Sequence, residues 1–405
     1  GEVVVEKDAL IELGTTDEKG KLVFQADLPH GKYYIQEVEH KPGYLPNDEV
    51  YSFDASYTDQ TLELLAFSEE ISNQPTITEF TKVDLTGGQE IEGAKMQILD
   101  QDGKVVEEWV SKKEPHVVYA LEQGEYVLHE EQAPTEQGYV RAEDVKFVVE
   151  ETGDVQKVKM EDDHTKVSIS KTDITDGKEI EGAKLQILDQ DGEVVESWTT
   201  GEEHLIEYLP IGTYTLHEEA AVDGYIVAND VEFTVEETGE IQKVKMEDER
   251  AMGQLVIVKT DTDSKAALEG VEFVLLEKET GKEVGRLKTG KDGKAVSELL
   301  PIGTYENGVF KEPITYVLKE TATLKGYEKT EEEWEIVFTY QNDKTPVIEV
   351  VKEIQNKKIP ETPGTVKPGP KTGDDTNWFL PLLALGVSAG MVAGLLYYRK
   401  RHKKA

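Results

Sequence analysis

Three kinds of residue occupy positions where an apolar side chain is expected. Alternate residues of a β-strand point to one face. Val167, Ile169 and Lys171 share such a face, as do Leu255, Ile257 and Lys259, and Phe80 with Lys82. Further along, Tyr126, Leu128 and Glu130 line up, repeated by Tyr214, Leu216 and Glu218, by Tyr316, Leu318 and Glu320, and by Tyr33, Ile35 and Glu37. Val158, Met160 and Asp162 follow, then Val244, Met246 and Asp248, with Ile354 and Asn356, and Ile71 and Asn73, as more distant versions. A lysine, a glutamate and an Asp or Asn are thereby placed among core residues. Lys95 and Lys184 lie opposite Ala94/Met96 and Ala183/Leu185, on a face where solvent explains them.

Burying an unpaired charge is expensive, so the trio calls for a chemical reason. Desolvation lowers the pKa of a lysine and raises that of a carboxylic acid. Both shifts favour the neutral amine and the protonated acid, the forms that condense to an amide. A neighbouring glutamate can carry the proton as general acid and base, and rigid strands supply the proximity. Asp would lose water and Asn would lose ammonia, leaving a neutral tie between first and last strands. The alternative is a buried ion-paired trio with no bond.

The elements that must position these residues recur. IEGAKMQILDQDGKVVE at 91–107 returns as IEGAKLQILDQDGEVVE at 180–196, and VEETGDVQKVKMED at 149–162 as VEETGEIQKVKMED at 235–248. LEGVEFVLLE at 268–277 belongs to a more distant copy. Lys82, Lys171 and Lys259 are spaced by 89 and 88 residues, so each unit is a small domain. Within it, short strands are split by Asp102-Gly103, Asp191-Gly192 and Asp292-Gly293, the pattern of antiparallel hairpins in an all-β sandwich. These acidic turns fail the EF-hand template, because Asp100-x-Asp102-Gly103 lacks the third acidic position and the distal glutamate. Aligning Gly1 with Gly103 starts the first unit inside a repeat, with its lysine strand expected upstream.

The Lys-x-Asp of residues 82–84, 171–173 and 259–261, the Tyr-Val-Leu-His-Glu ending at Glu130 with Ala133-Pro134 and Gly138-Tyr139, and the Tyr-Val-Leu-Lys-Glu ending at Glu320 with Gly326-Tyr327 resemble the Cna B-type or SpaA-like pilin domains of Gram-positive bacteria. The resemblance spans about residues 1–358. It implies transthyretin-like β-sandwiches that form intramolecular isopeptide bonds autocatalytically. Carried over by position, it implies Lys82–Asp162 assisted by Glu130, Lys171–Asp248 assisted by Glu218, and Lys259–Asn356 assisted by Glu320. Glu37 and Asn73 are the corresponding helper and acceptor of the truncated unit. Asn342 is a rival acceptor in the last unit. Asn356 is preferred because Tyr327 precedes it by 29 residues, as Tyr44 precedes Asn73.

Residues 378–398 form a stretch of 21 uncharged residues, about 30 Å as a helix, bounded by Trp378, Tyr397 and Tyr398 and followed by Arg399, Lys400, Arg401, Lys403 and Lys404. That is the pattern of a single transmembrane helix with a basic cytoplasmic tail. Ahead of it, Pro360, Pro363, Pro368 and Pro370 mark an extended linker. Gly369-Pro370-Lys371-Thr372-Gly373, then the apolar span and the basic tail, resemble the cell-wall sorting signal of Gram-positive surface proteins. The family pattern, Leu-Pro-x-Thr-Gly, is cut by a sortase between Thr and Gly; Gly369 stands in place of the leucine. The resemblance implies that Thr372 is joined to peptidoglycan and that the helix retains the chain in the membrane only until sorting. Gly1 opens without a leader, so an exported chain of this kind is expected to be part of a longer one.

The 405 residues carry 44 Lys and Arg against 83 Asp and Glu, a net charge of −39 that opposes any nucleic-acid partner. Cysteine is absent, which excludes disulfides and thiolate sites. His129-Glu130 and His217-Glu218 lack a second histidine for zinc, and no phosphate loop or serine elbow is present, so no metal, cofactor or enzyme activity on other molecules is expected. The expected layout is a truncated module at 1–75, modules at 76–163, 164–250 and 251–358, a linker at 359–377, the membrane helix at 378–398 and the tail at 399–405. The expected function is an extracellular, wall-anchored stalk of an adhesin or minor pilin. The alternative is a ligand-binding module for host matrix or glycan, with Trp109 and Trp198 as stacking surfaces.

Overall fold

The computed structural model describes residues 5–56 and 65–360. The linker from residue 361 on, the sorting motif at 369–373, the membrane helix and the basic tail lie outside the described residues. Among those described, no helix is long and apolar enough to cross a membrane. Strands dominate the described residues, which hold a single 3-10 turn at Thr135–Gln137.

Each complete module is a sandwich of two sheets. In the second module the first sheet runs His116–Tyr119, Ile77–Asp84, Val155–His164, Tyr139–Val140, and the other Val105–Val110, Lys95–Leu99, Gly124–Gln132, Val145–Val149. The third module repeats this order with Lys166–Asp173 and Ile241–Arg250 as the central pair of one sheet. In the fourth, Met252–Asp261 pairs Val347–Asn356, and an added hairpin, Gly303–Glu306 with Val309–Pro313, has no counterpart among the described residues of the others. The expected hairpins are present, each turning on a positive-φ glycine such as Gly103 (77°), with Asp100 Oδ1 accepting the Asp102 and Lys104 N–H groups. The hairpin pattern did not disclose that the first and last strands of each complete module lie side by side and parallel.

That pairing fixes the register of the chemistry. Asp84 lies opposite Asp162, Asp173 opposite Asp248, and Asp261 opposite Asn356. Each lysine therefore stands two residues before the position facing its acceptor, on the same face. Apolar side chains of both sheets enclose the trios: Phe80, Met96, Ile98, Leu128 and Met160 in the second module, and Val167, Ile169, Leu185, Leu216 and Met246 in the third. The first module has one two-stranded sheet among the described residues, Lys32–Gln36 with Val50–Asp54.

Candidate functional site

The glutamates arrive from the opposite sheet. Glu130, Glu218 and Glu320 face Met96, Leu185 and Phe273, and each ladder carries a bulge immediately beside that pair. A bulge turns a side chain away from its regular direction, and here it accompanies a glutamate aimed across the core. In the second module Glu130 Oε2 lies 2.9 Å from Lys82 Nζ, which also donates to Asp162 Oδ1. Lys82, Glu130 and Asp162 are all buried. The third module repeats the set, with Glu218 Oε2 2.9 Å from Lys171 Nζ and Lys171 donating to Asp248 Oδ1. The backbone anchors both helpers, through Ala142 N to Glu130 Oε2 at 2.8 Å and Ala228 N to Glu218 Oε2 at 2.6 Å.

Burial pushes the carboxyls of Asp162 and Asp248 up to about 7; the lysine beside each opposes the rise and the glutamate adds to it. Each Asp thus keeps a proton far above the usual carboxylate range. Its second oxygen, Oδ2, has no hydrogen-bond partner.

In the fourth module Lys259 Nζ donates to Asn356 Oδ1, and Glu320 Oε2 sits 2.8 Å from the amine. Glu320 Oε1 accepts from Asn356 Nδ2 at 2.8 Å, and Thr323 Oγ1 accepts from the same nitrogen at 2.7 Å. One carboxylate therefore touches the amine with one oxygen and the acceptor's amide nitrogen with the other. Burial lowers the Lys259 pKa, opposed by Glu320. Asn342, the rival acceptor, is exposed in a turn, where its Oδ1 takes the Lys344 N–H. In the first module Asn73 Nδ2 donates to both Glu37 oxygens at 2.8 Å.

The tryptophans proposed as stacking surfaces pack inward. Trp109 and Trp198 lie against their module cores, each ring stacked on a histidine, His116 at 4.2 Å and His204 at 4.5 Å between centroids.

A second set of residues escaped sequence reasoning. Asp84, Asp173 and Asp261, the Asp of each Lys-x-Asp, are buried at the module ends. Asp173 accepts from Tyr225 at 2.7 Å and from Arg250 Nε at 2.6 Å, and Asp84 accepts from Tyr208 of the following module at 2.8 Å. Arg250 also lies 4.2 Å from the centroid of the Tyr305 ring in the fourth module. The glycines before Tyr44, Tyr139 and Tyr225 each form a ledge for the next module. A Cβ on Gly138 (φ 80°) would lie 2.4 Å from the Tyr208 backbone, and one on Gly43 (φ 85°) 2.2 Å from Ala120 O. The signal was present in the parity, since Asp84 shares the face of Lys82.

Hydrogen bonds from Thr86, Gly87 and Tyr208 hold the Asp84 carboxyl at about 2 in spite of its burial. A depressed carboxylate stabilises fully above its unfolded range, and the contribution disappears as pH falls through the folded value. The junction of the second and third modules therefore loosens below about pH 4 and is lost toward pH 2. Tyr208→Phe removes one donor, costs about 1 kcal/mol, and moves this loosening to higher pH. Thermal denaturation across the acid range checks both effects; an unshifted acid limb contradicts them.

The SpaA prealbumin-like fold domain family matches residues 3–67, 76–164, 165–250 and 253–313. The chain belongs to that family, as an all-β array of tandem prealbumin-like domains. Similar solved structures include the Bacillus anthracis TIE protein, at 28% identity and a TM-score of 0.48 over 70% of this chain and 51% of that one. The chain thus spans about half the length of that relative. They also include the Streptococcal ancillary pilin (16% identity, TM-score 0.29, 71% and 99% covered) and BcpA, the major pilin subunit of Bacillus cereus (16%, 0.40, 70% and 99%). No curated protein matches the chain.

Proposed function

We propose that the three complete modules tie their first and last strands by autocatalytic amide bonds and serve as a tension-bearing stalk on a Gram-positive cell surface. The observation that carries this reading is Glu320 bridging Lys259 Nζ and Asn356 Nδ2, with all three side chains buried. The neutral amine attacks Cγ of Asn356 as Glu320 Oε2 takes its proton. Glu320 delivers a proton through Oε1 to Nδ2, the Cγ–Nδ2 bond breaks, and ammonia leaves. In the Asp modules the same sequence expels water, and the raised carboxyl pKa supplies the protonated acid that condensation needs. The backbone bonds to Glu130 and Glu218 fix each helper before reaction, so little reorganisation is required.

The stalk reading extends to the ends of the chain. The sortase recognises residues 369–373, cuts after Thr372 and joins it to peptidoglycan, while the span at 378–398 holds the chain in the membrane until then. The packed, histidine-covered tryptophans give no support to glycan stacking.

Intact-protein mass spectrometry tests the ties. The full chain is expected to weigh less than its sequence by two waters and one ammonia. Peptide mapping is expected to place the deficits at Lys82–Asp162, Lys171–Asp248 and Lys259–Asn356. An unmodified mass defeats the proposal.

A further inference from the structure

The acceptor differs between the complete modules, and so does the residue three places beyond each helper glutamate. Past the bulge, Gln132, Ala220 and Ala322 pair with Lys95, Lys184 and Glu272. Ala133, Ala221 and Thr323 therefore stand at one position in the three sandwiches. The two modules with an Asp acceptor carry alanine there, and the module with an Asn acceptor carries threonine.

Counting hydrogens accounts for the correspondence. A carboxamide nitrogen has two hydrogens to place, whereas a carboxylic acid has one at most. Glu320 Oε1 takes one hydrogen of Asn356 Nδ2 at 2.8 Å, and Thr323 Oγ1 takes the other at 2.7 Å. With both engaged, Oδ1 is the atom left to face Lys259 Nζ. The reversed amide would set donor against donor at the amine and acceptor against acceptor at Glu320. In the second and third modules a protonated Asp has one hydrogen to place, and an alanine costs it nothing. An amide there would carry a second buried N–H, with a methyl group where Thr323 supplies an oxygen. Asn73 of the first module meets the same need differently. His40 is three places beyond Glu37, and Asn73 Nδ2 reaches the carbonyl of Leu45 at 3.4 Å besides the Glu37 carboxylate.

We propose that Thr323 determines the choice of acceptor in the fourth module, holding the Asn356 amide with Oδ1 toward the Lys259 amine, and that Ala133 and Ala221 reserve the second and third modules for Asp. This rests on the tie chemistry proposed above. It adds what decides whether a module expels ammonia or water. Thr323 transfers no proton in the reaction; it sets which edge of the amide meets the amine.

The test makes the full chain by cell-free translation and follows the fraction tied at Lys259–Asn356 over time, by intact mass and peptide mapping. Thr323→Val keeps the side-chain shape without the acceptor oxygen and is expected to slow this tie about tenfold or more. Thr323→Ser is expected to keep it near the wild-type rate. The second and third modules of the same chain, each short of one water, are the internal reference. Adding Asn356→Asp to Thr323→Val is expected to restore the tie with loss of water, which a chain that had merely misfolded would not do. The converse exchange is made in the third module, where Ala221 is half-buried beside a surface cleft and a larger side chain has room. Asp248→Asn is expected to stall the Lys171 tie, and Asp248→Asn with Ala221→Thr to form it with loss of ammonia. A Thr323→Val chain that ties at the wild-type rate overturns the assignment and leaves the ties standing. So does a Thr323→Val chain that Asn356→Asp fails to restore, or an Asp248→Asn chain whose tie is indifferent to Ala221→Thr. A wild-type chain without any deficit overturns the tie chemistry and this assignment together.

Discussion

Glu320→Gln is expected to yield a chain heavier than wild type by one ammonia, after allowance for the substitution, and a fourth module that melts far earlier. The proposed tie from Lys259 to Asn356 would span 97 positions. By analogy with a disulfide closing a loop of this size, it restricts the unfolded chain by about 4–5 kcal/mol. For a domain of this length that corresponds to roughly 20 °C or more in Tm. The variant also leaves the Lys259 ammonium buried without its carboxylate, a second source of instability. Lys259→Met separates the two effects. It cannot form the tie and leaves no buried ammonium, while Glu320 keeps the hydrogen bond from Asn356 Nδ2 and can take up a proton, so it is expected to melt above Glu320→Gln and below wild type. Calorimetry paired with intact mass reads both. Equal masses for wild type and Glu320→Gln would remove the proposed role of the glutamate.

A larger effect is expected under load. Stretching a chain through its ends pulls on the opening and closing strands of each module, which lie parallel and adjacent. With the ties in place, force passes from Lys82 to Asp162, from Lys171 to Asp248 and from Lys259 to Asn356, bypassing the 80, 77 and 97 positions between them. The wild-type chain should show no full-length unfolding step in these modules. Lys82→Ala should restore one of roughly 270 Å, and Lys259→Ala one of roughly 330 Å, at an extended reach of about 3.4 Å per residue. Force spectroscopy of the full chain distinguishes these outcomes. Steps of such length in the wild-type chain would mean that the strands are not tied.

Much of the module was legible in the residues themselves. Strand parity picked out Lys82, Glu130 and Asp162 because a charge at an apolar position contradicts its neighbours, and the Lys-x-Asp and Gly-Tyr elements led to the family that matches the chain. The parallel pairing of Ile77–Asp84 with Val155–His164 was not legible. Hairpin signals are local, whereas this contact joins strands about 80 residues apart, after the chain has crossed between the two sheets several times. The bulges beside Glu130, Glu218 and Glu320 were equally hidden, because one extra residue in a ladder leaves no mark on composition. Asp84 was visible as a motif residue, but its use depends on Tyr208, 124 positions away in another module.

The glycine ledges bear on how such a chain can lengthen or shorten. Gly43, Gly138 and Gly224 occupy corresponding positions, and each meets residues from the middle of the following module: Ala120, Tyr208, and Tyr305 with Phe310. Thr76 N, Thr165 N and Ala251 N close the three joints in the same way, onto the carbonyls of Gly43, Gly138 and Gly224. A unit cut out at the first two joints would leave corresponding faces behind, and one inserted there would find them ready, whereas the third joint is built on the added hairpin of the fourth module. The span of the molecule is thereby a copy number, open to adjustment by unequal recombination between near-identical repeats without designing a new interface.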